Sequence, residues 1–152
     1  MDEMNLDLIT EKVNLILSDM NLRLYDIQFN KVSKTLRIII DRKDSAVTIK
    51  DCETVSNAIS RELDNNNLID FPYTLEVSSP GIERPLSRPE HFKWALGKFI
   101  EVVLSDNRVC GHIREARNDG VLLALKSGEV LIPYHKILRA KTLEEFYNGK
   151  RR

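Results

Sequence analysis

The sequence has few of the residues from which most recognisable binding sites are built. Its two cysteines, Cys52 and Cys110, form no CxxC pair, so the sequence indicates neither a disulfide framework nor a zinc site. Its six glycines are too widely spaced for a P-loop, a GxGxxG turn or the GxxG loop with which KH domains hold nucleic acid. We expect both cysteines to be small apolar fillers of a core.

Long apolar runs are also missing. No run approaches the roughly 18 residues that are needed to cross a bilayer. The first residues, MDEMNLDLITEK, lack the basic and apolar regions of a signal peptide. We therefore expect a cytoplasmic protein with no membrane partner.

Signals for catalysis are weak. The three histidines are scattered, and none is spaced four residues from another histidine or glutamate on a predicted helix. Ser79 precedes Pro-Gly without the glycines of a nucleophile elbow. Asp41 and Asp44 follow a strand and could bind magnesium, although a solvated turn explains them better. We predict no catalytic, metal-binding or cofactor-binding residue and no enzyme, with a hydrolase that uses Ser79 or an Asp–His metal site as the alternative.

A net charge of zero conceals an asymmetry between the two halves. Residues 1–82 carry 9 basic and 14 acidic groups, a net charge of −5, and residues 83–152 carry 14 and 9, a net charge of +5. This division suggests two modules with different partners, of which the basic one is the better candidate for binding RNA or an acidic surface. Chance clustering on solvated faces is the alternative.

The first half has the pattern of an α-β-β-α-β module. Apolar residues at spacings of three and four from Leu6 to Met20 predict a helix. LRLYDIQF and LRIIID predict an antiparallel hairpin whose alternation slips near Tyr25. Thr48 and Asp51 have the spacing of a capping box at the start of a second helix, and YTLEVS alternates as a third strand.

The second half predicts a short helix and a small β-barrel. Ser87 and Glu90 have capping-box spacing, and Gly97 is predicted at the C′ position of that helix. Four or five short apolar runs follow, separated by SDN, RNDG and SG turns, and closure of such strands into a barrel would remove exposed sheet edges. The end of the chain, EEFYNGKRR, is predicted to be a fraying helix or a basic tail.

Basic residues of the second half are the candidates for contact with RNA. They flank the short helix, lie near a hairpin and follow the last long strand, where they could form a face that binds phosphates; a merely solubilising surface is an equal alternative. The candidates are Arg84, Arg88, Lys93, Lys98, Arg114, Arg117, Lys136, Arg139 and Lys141. Trp94 is predicted to fill the core beside its helix rather than to stack on a base.

A proline-rich motif joins the two halves. In Ser79-Pro80-Gly81-Ile82, proline and glycine occupy the positions that a type II turn favours. Pro85 biases Arg84 toward extended geometry, and Pro89 suits the first turn of a helix. These fixed φ angles predict a stiff connector that sets the angle between two domains. We expect Gly81→Val to disturb it and Ser79→Ala to do little.

The motif also carries a resemblance to a known family. VSSPG at residues 77–81 and RPL at residues 84–86 resemble the signature of the bacterial ribosome maturation factor RimP family. LRIIID and the later DC and VS pairs, at residues 36–41, 51–52 and 55–56, match an earlier family stretch with the same order and spacing. The chain departs from the family in the DSAV turn and at Lys50, where the family has a glycine-rich turn and commonly a second acid. Both departures lie in or beside a loop.

The resemblance implies an α+β protein with a KH-like N-terminal domain and a C-terminal SH3-like (Sm-like) β-barrel. The predicted division is a KH-like domain at residues 1–80, a connector at 81–86 and a barrel with its leading helix and tail at 87–152. The interdomain motif comprises Ser78, Ser79, Pro80, Gly81, Arg84, Pro85 and Leu86.

The function that the resemblance implies is assembly of the small (30S) ribosomal subunit. The implied partners are the free subunit, a ribosomal protein near the decoding centre and adjacent rRNA. We expect a monomer, no cofactor and no small-molecule substrate. The alternative from the residues alone is a general single-stranded RNA-binding module, which predicts binding to arbitrary RNA with a steep salt dependence.

Overall fold

The computed structural model describes residues 4–43 and 45–143. The chain divides into two compact units, residues 1–80 and residues 81–152. Together they make a mixed α+β protein, with an α-β-β-α-β region first and an antiparallel sheet second. The finer division predicted from the sequence, with a separate connector, stays a prediction. The predicted tail at residues 144–152 lies outside the described residues.

The first unit contains two helices and a three-stranded sheet. Helix α1 spans Leu6–Asp19, strands β1 and β2 span Arg23–Asn30 and Thr35–Asp41, helix α2 spans Ile49–Asn65, and strand β3 spans Thr74–Ser78. The strand order is β1-β2-β3, with β1 antiparallel and β3 parallel to the central strand β2. This is the element order that the sequence pattern predicts.

Local sequence explains where these elements begin and bend. The Asn5 side chain caps α1 by accepting from the Leu8 N–H at 3.0 Å. The predicted capping box of α2 is present, because the Thr48 hydroxyl accepts from the Asp51 N–H while the Asp51 carboxylate accepts from the Thr48 N–H. The slip in alternation near Tyr25 is a register shift between Leu24 and Asp26.

A single hydrophobic cluster holds the first unit together. Leu36, Ile38 and Ile40 of β2 point to one face of the sheet, and both helices cover that face with their apolar stripes. The buried helix residues are Ile9, Val13 and Leu17 of α1 and Val55, Ile59 and Leu63 of α2. Cys52 is only half-buried at the edge of this cluster, and Cys110 in the second unit is exposed, so the prediction that both cysteines fill a core is wrong for Cys110.

In its described residues, the second unit has a short helix, a 3-10 turn and a five-stranded antiparallel sheet with the order β7-β6-β5-β4-β8. Among the described residues, no pairing joins the two outer strands, so the closed barrel that the sequence predicted is not confirmed. Its elements are α3 at Pro89–Trp94, β4 at Phe99–Val103, β5 at Arg108–Ala116, β6 at Gly120–Leu125, β7 at Gly128–Pro133, a 3-10 turn at Tyr134–Lys136 and β8 at Arg139–Thr142.

Helix α3 begins differently from the prediction. Its N-cap is Arg88, whose side chain makes no capping hydrogen bond, so the predicted capping box of Ser87 and Glu90 is wrong. The Ser87 N–H donates instead to Nδ1 of the buried His91 at 3.0 Å. Gly97 has a φ of +86° as predicted, but the C-cap is Ala95, so the glycine lies one residue beyond C′.

The core of the second unit comes mainly from the sheet. Ile100, Val102, Ile113, Val121 and Leu123 are almost fully buried on one face. Leu86, Phe92, Ala95, Ile132 and Ala140 complete the cluster. No helix among the described residues is long and apolar enough to cross a membrane.

Candidate functional site

The second part of the interdomain motif, residues 82–86, lies along the outer edge of β8. Within the second unit, the Leu86 N–H donates to the Ala140 carbonyl at 2.9 Å, and the Thr142 N–H donates to the Arg84 carbonyl at 3.0 Å. The buried Thr142 hydroxyl donates to the Ile82 carbonyl at 2.7 Å and accepts from the Arg84 N–H at 2.9 Å. Residues 82–86 therefore act as an additional edge segment of this sheet.

The motif residues have different surroundings. Ser78 ends β3 and, like Ser79, is exposed, while Pro80 is half-buried. Gly81 has a φ of +83°, the left-handed conformation that the predicted turn requires of this position. Arg84 donates from Nε to the Gly81 carbonyl at 3.3 Å. Pro85 lies opposite Lys141, and Leu86 is buried in the core of the second unit.

A groove of about 250 Å³ opens between this segment, α3 and β8. Its apolar lining includes Leu86, Phe92 and Ile137, and two basic residues, Arg88 and Arg139, stand at its wall. Tyr134 packs against Phe92 with the ring centroids 5.1 Å apart. Burial, and then the charge of Asp119, raises the pKa of the Tyr134 hydroxyl, so this group stays a neutral donor to the Arg117 carbonyl at 2.9 Å.

Eight of the nine candidate basic residues fall into two groups of four. Four of them are exposed and form no ion pair with any described residue: Lys93, Lys98, Lys136 and Arg139. Four others have acidic partners: Arg88 with Glu90, Arg114 with Glu129, Arg117 with Glu115, and Lys141 with Glu83, at 3.5, 3.6, 2.8 and 3.3 Å. The ninth, Arg84, bonds to the backbone as described above. The first group has positive charge to offer a phosphate without breaking a salt bridge.

Sheet register aligns Arg139 with a basic residue that the sequence did not single out. Val103 of β4 is paired with Arg139 on one side and with Arg108 on the other, so the two arginines lie on the same face of the sheet. Arg108 also donates to Glu101 at 2.7 Å. The alternation of Arg108, Cys110 and His112 in RVCGHIREA was the signal for this face, but the neighbouring strands could not be aligned from sequence.

The described residues include part of the metal sites that the sequence left open. No group of three or more histidine, cysteine or acidic side chains lies close enough to hold a metal ion there. Asp41 is buried and accepts from Arg23 at 2.7 and 3.0 Å, so its predicted place in a solvated turn is wrong. Asp44 lies outside the described residues. Trp94 is half-buried, with its ring centroid 5.8 Å from that of His91.

Residues 12–83 match the family model of the RimP N-terminal domain. The match begins inside α1, includes the whole three-stranded sheet and α2, and ends in the segment that lies along β8. It therefore spans nearly all of the first unit.

Proposed function

We propose, because this chain belongs to the RimP family of ribosome maturation factors, that it binds the free small ribosomal subunit and assists a late step of its assembly. The match of residues 12–83 to the RimP N-terminal domain carries this proposal. The family acts on the small subunit and is not an enzyme family. The protein acts by binding: it stabilises one arrangement of a ribosomal protein near the decoding centre and the adjacent rRNA, and no covalent step is required.

The place of action follows from the same membership. A factor of the small subunit works in the cytoplasm, where that subunit is assembled. The protein acts there as a monomer and needs no cofactor.

The two units are proposed to be a KH-like domain and an SH3-like barrel. The α-β-β-α-β order of the first unit and the five short antiparallel strands of the second support this assignment. The glycines of a GxxG loop are absent from the sequence. The first unit is therefore not the proposed RNA-binding surface.

The second unit is proposed to make the ribosomal contact. Its net charge is +5, and four basic residues that form no ion pair with a described residue give it charge that is available to phosphate: Lys93, Lys98, Lys136 and Arg139. The other five candidates, Arg84, Arg88, Arg114, Arg117 and Lys141, are proposed as supporting contacts. The interdomain motif, from Ser78 to Leu86, is proposed to contain the stiff connector at residues 81–86.

Sedimentation with separated ribosomal fractions tests the proposal. The purified protein is mixed with free small subunits, free large subunits and mature ribosomes at physiological salt, and each mixture is run through a sucrose gradient. We expect the protein to sediment with free small subunits in preference to the other particles. Equal sedimentation with every particle, or with none, would contradict the proposal.

A matched pair of variants tests the contact surface. Arg139→Glu reverses an unpaired charge beside the groove, and Lys126→Glu reverses an exposed charge in the turn between β6 and β7. Because both change the net charge equally, we expect only Arg139→Glu to weaken binding to the small subunit, by about tenfold. Equal weakening by both would show a diffuse electrostatic attraction. A general RNA-binding module would instead bind an unrelated single-stranded RNA as tightly as the subunit.

A further inference from the structure

Strand β3 leaves one edge of the first sheet without a partner strand in the described part of the chain. The Thr74 N–H points inward and donates to the Lys34 carbonyl at 2.9 Å. The N–H and C=O groups of one strand residue point to the same side, and those of the next residue point to the opposite side. The N–H and C=O groups of Leu75 and Val77 therefore point to the outer edge. The edge thus presents two donors and two acceptors at the spacing that an added strand would need.

An open groove of about 490 Å³ runs between this edge and α2. Leu75 and Val77 are half-buried on the helix-covered face, and Ile49 at the start of α2 is 80% exposed. The complete lining is Ile49, Cys52, Glu53, Ser56, Asn57, Leu75, Glu76 and Val77. Half of these residues are apolar and half are polar, and the outward backbone groups of Leu75 and Val77 lie along one wall.

The charge of the groove is negative. Glu53 is exposed and forms no ion pair with another described residue. Glu76 accepts from Arg37 at 3.1 Å, with both side chains about half exposed. The first unit as a whole has a net charge of −5. Such a surface repels the phosphates of RNA and attracts a positively charged chain.

We propose that the β3 edge and the α2 groove bind an extended, basic segment of a partner protein. The segment adds to the sheet as a fourth strand and bonds with the outward backbone groups of Leu75 and Val77. Because side chains alternate along a strand, one set of its residues faces α2, and lysine or arginine side chains of that set reach Glu53 while their aliphatic stems pack beside Leu75 and Val77. This site lies in the first unit and uses none of the basic residues proposed above for contact with the ribosome.

A designed peptide tests this binding on the full chain. The probe is a fluorescein-labelled octapeptide in which lysine and valine alternate, and an octapeptide of alternating glutamate and valine is the charge control. We expect the lysine peptide to raise the fluorescence anisotropy in a saturable way and the glutamate peptide to do nothing. Equal binding of both peptides, or binding of neither, would overturn the proposal.

Amide hydrogen exchange locates the bound peptide at single residues. On addition of the lysine peptide, we expect exchange at Leu75 and Val77 to slow, because their N–H groups become bonded. Exchange at Thr74 should not change, since its N–H is already bonded to β2. Slower exchange confined to the second unit would place the peptide elsewhere and refute the proposed site.

A pair of charge reversals distinguishes binding in the groove from attraction to the overall negative charge of the first unit. Glu53→Lys and Glu11→Lys each replace one exposed helical glutamate, but only Glu53 lines the groove. We expect Glu53→Lys to raise the dissociation constant of the lysine peptide about tenfold and Glu11→Lys to change it less than about twofold. Equal effects of the two variants would reduce the binding to non-specific attraction.

Backbone methylation distinguishes strand addition from other modes of docking. In two further lysine–valine peptides the backbone amide nitrogens are methylated. One peptide is methylated at every lysine and the other at every valine. Because alternate residues of an added strand face β3, we expect one of these peptides to lose binding and the other to keep it. Retention of binding by both would exclude strand addition. Displacement of the probe by an oligouridine at physiological salt would identify a nucleic-acid site and overturn the proposal.

Discussion

The two units build their cores in different ways. In the first unit, two amphipathic helices cover one face of three strands, and their stripes supply Ile9, Val13, Leu17, Val55, Ile59 and Leu63. In the second unit, five antiparallel strands supply most of the core, and the one short helix contributes Phe92, with Ala95 just beyond its end. The first core depends on the apolar stripe of each helix, which is a pattern within one element. The second core depends on the pairing and close approach of neighbouring strands.

The largest expected effect comes from removing one fully buried leucine from each unit. Leu36 and Leu123 are both 0% exposed, and they belong to separate hydrophobic clusters. We expect Leu36→Ala and Leu123→Ala each to lower the free energy of unfolding by about 2–5 kcal/mol, because each leaves a cavity. In residue-resolved measurements, the rate of amide exchange should increase most in the unit that carries the substitution.

The exposed Leu15 provides the control for these two substitutions. It is 61% exposed on α1, so Leu15→Ala should change the free energy of unfolding by no more than about 0.5 kcal/mol. If Leu36→Ala accelerated exchange equally in both clusters, the contrast between two separate cores would be wrong.

A smaller effect, specific to the second unit, is expected at Gly111. A Cβ atom added there would lie 2.7 Å from the Ala124 carbonyl oxygen and 2.8 Å from a methyl group of Leu125. Because a backbone oxygen cannot move without disturbing the pairing of β5 with β6, we expect Gly111→Ala to cost about 1–3 kcal/mol. Urea unfolding measures the loss. Cys110→Ala, at the exposed neighbouring position, should leave the midpoint unchanged, and an unchanged midpoint for Gly111→Ala would refute the close approach.

The smallest effect concerns the two helix starts. Thr48 is bonded within the capping box of α2, whereas the Ser87 side chain does not cap α3. We expect Thr48→Ala to cost about 1 kcal/mol and Ser87→Ala to cost less, as measured by urea unfolding. Equal losses at both positions would remove this distinction between the units.

The capping box also makes a pH-dependent contribution to the free energy of unfolding. The Thr48 N–H, and then the Arg42 guanidinium, lower the pKa of Asp51 below its ordinary value. The contribution is present above the ordinary carboxyl pKa and is lost as the pH falls through the lowered value, when the carboxylate becomes protonated. We therefore expect the urea midpoints of the parent and Asp51→Asn to differ near neutral pH and to converge in acid. A difference that is constant with pH would contradict this assignment.

Patterns of the first unit were predictable because each depends on residues close in sequence. The stripe of α1, the Thr48–Asp51 capping box and the slip near Tyr25 all appear in the structure as predicted. Asn5 was missed as a cap because the helical pattern was read from Leu6 onward. Cys52 lines the groove beside the edge strand β3, and periodicity does not show which strand lies at the edge of a sheet.

The second unit was less predictable because its features depend on pairing between strands. The individual strands could be inferred from short apolar runs and turn residues, but barrel closure required knowledge of which edges meet. The partnership of Ser87 with His91 was missed because both helix-capping patterns looked alike in sequence. The candidate basic residues could be named, but sequence could not show that Glu83 and Glu115 engage Lys141 and Arg117, while Arg139 has no acidic partner among the described residues.

The pairing of residues 82–86 with β8 has a topological consequence. It places the first residues of the second unit beside its last described strand, so the two ends of the described part of this unit are adjacent. A unit whose ends are adjacent can be inserted into a surface loop of another protein without stretching the host. The segment from Gly81 to Leu143 is therefore suited to grafting as a single insert, with its groove and unpaired cations carried along.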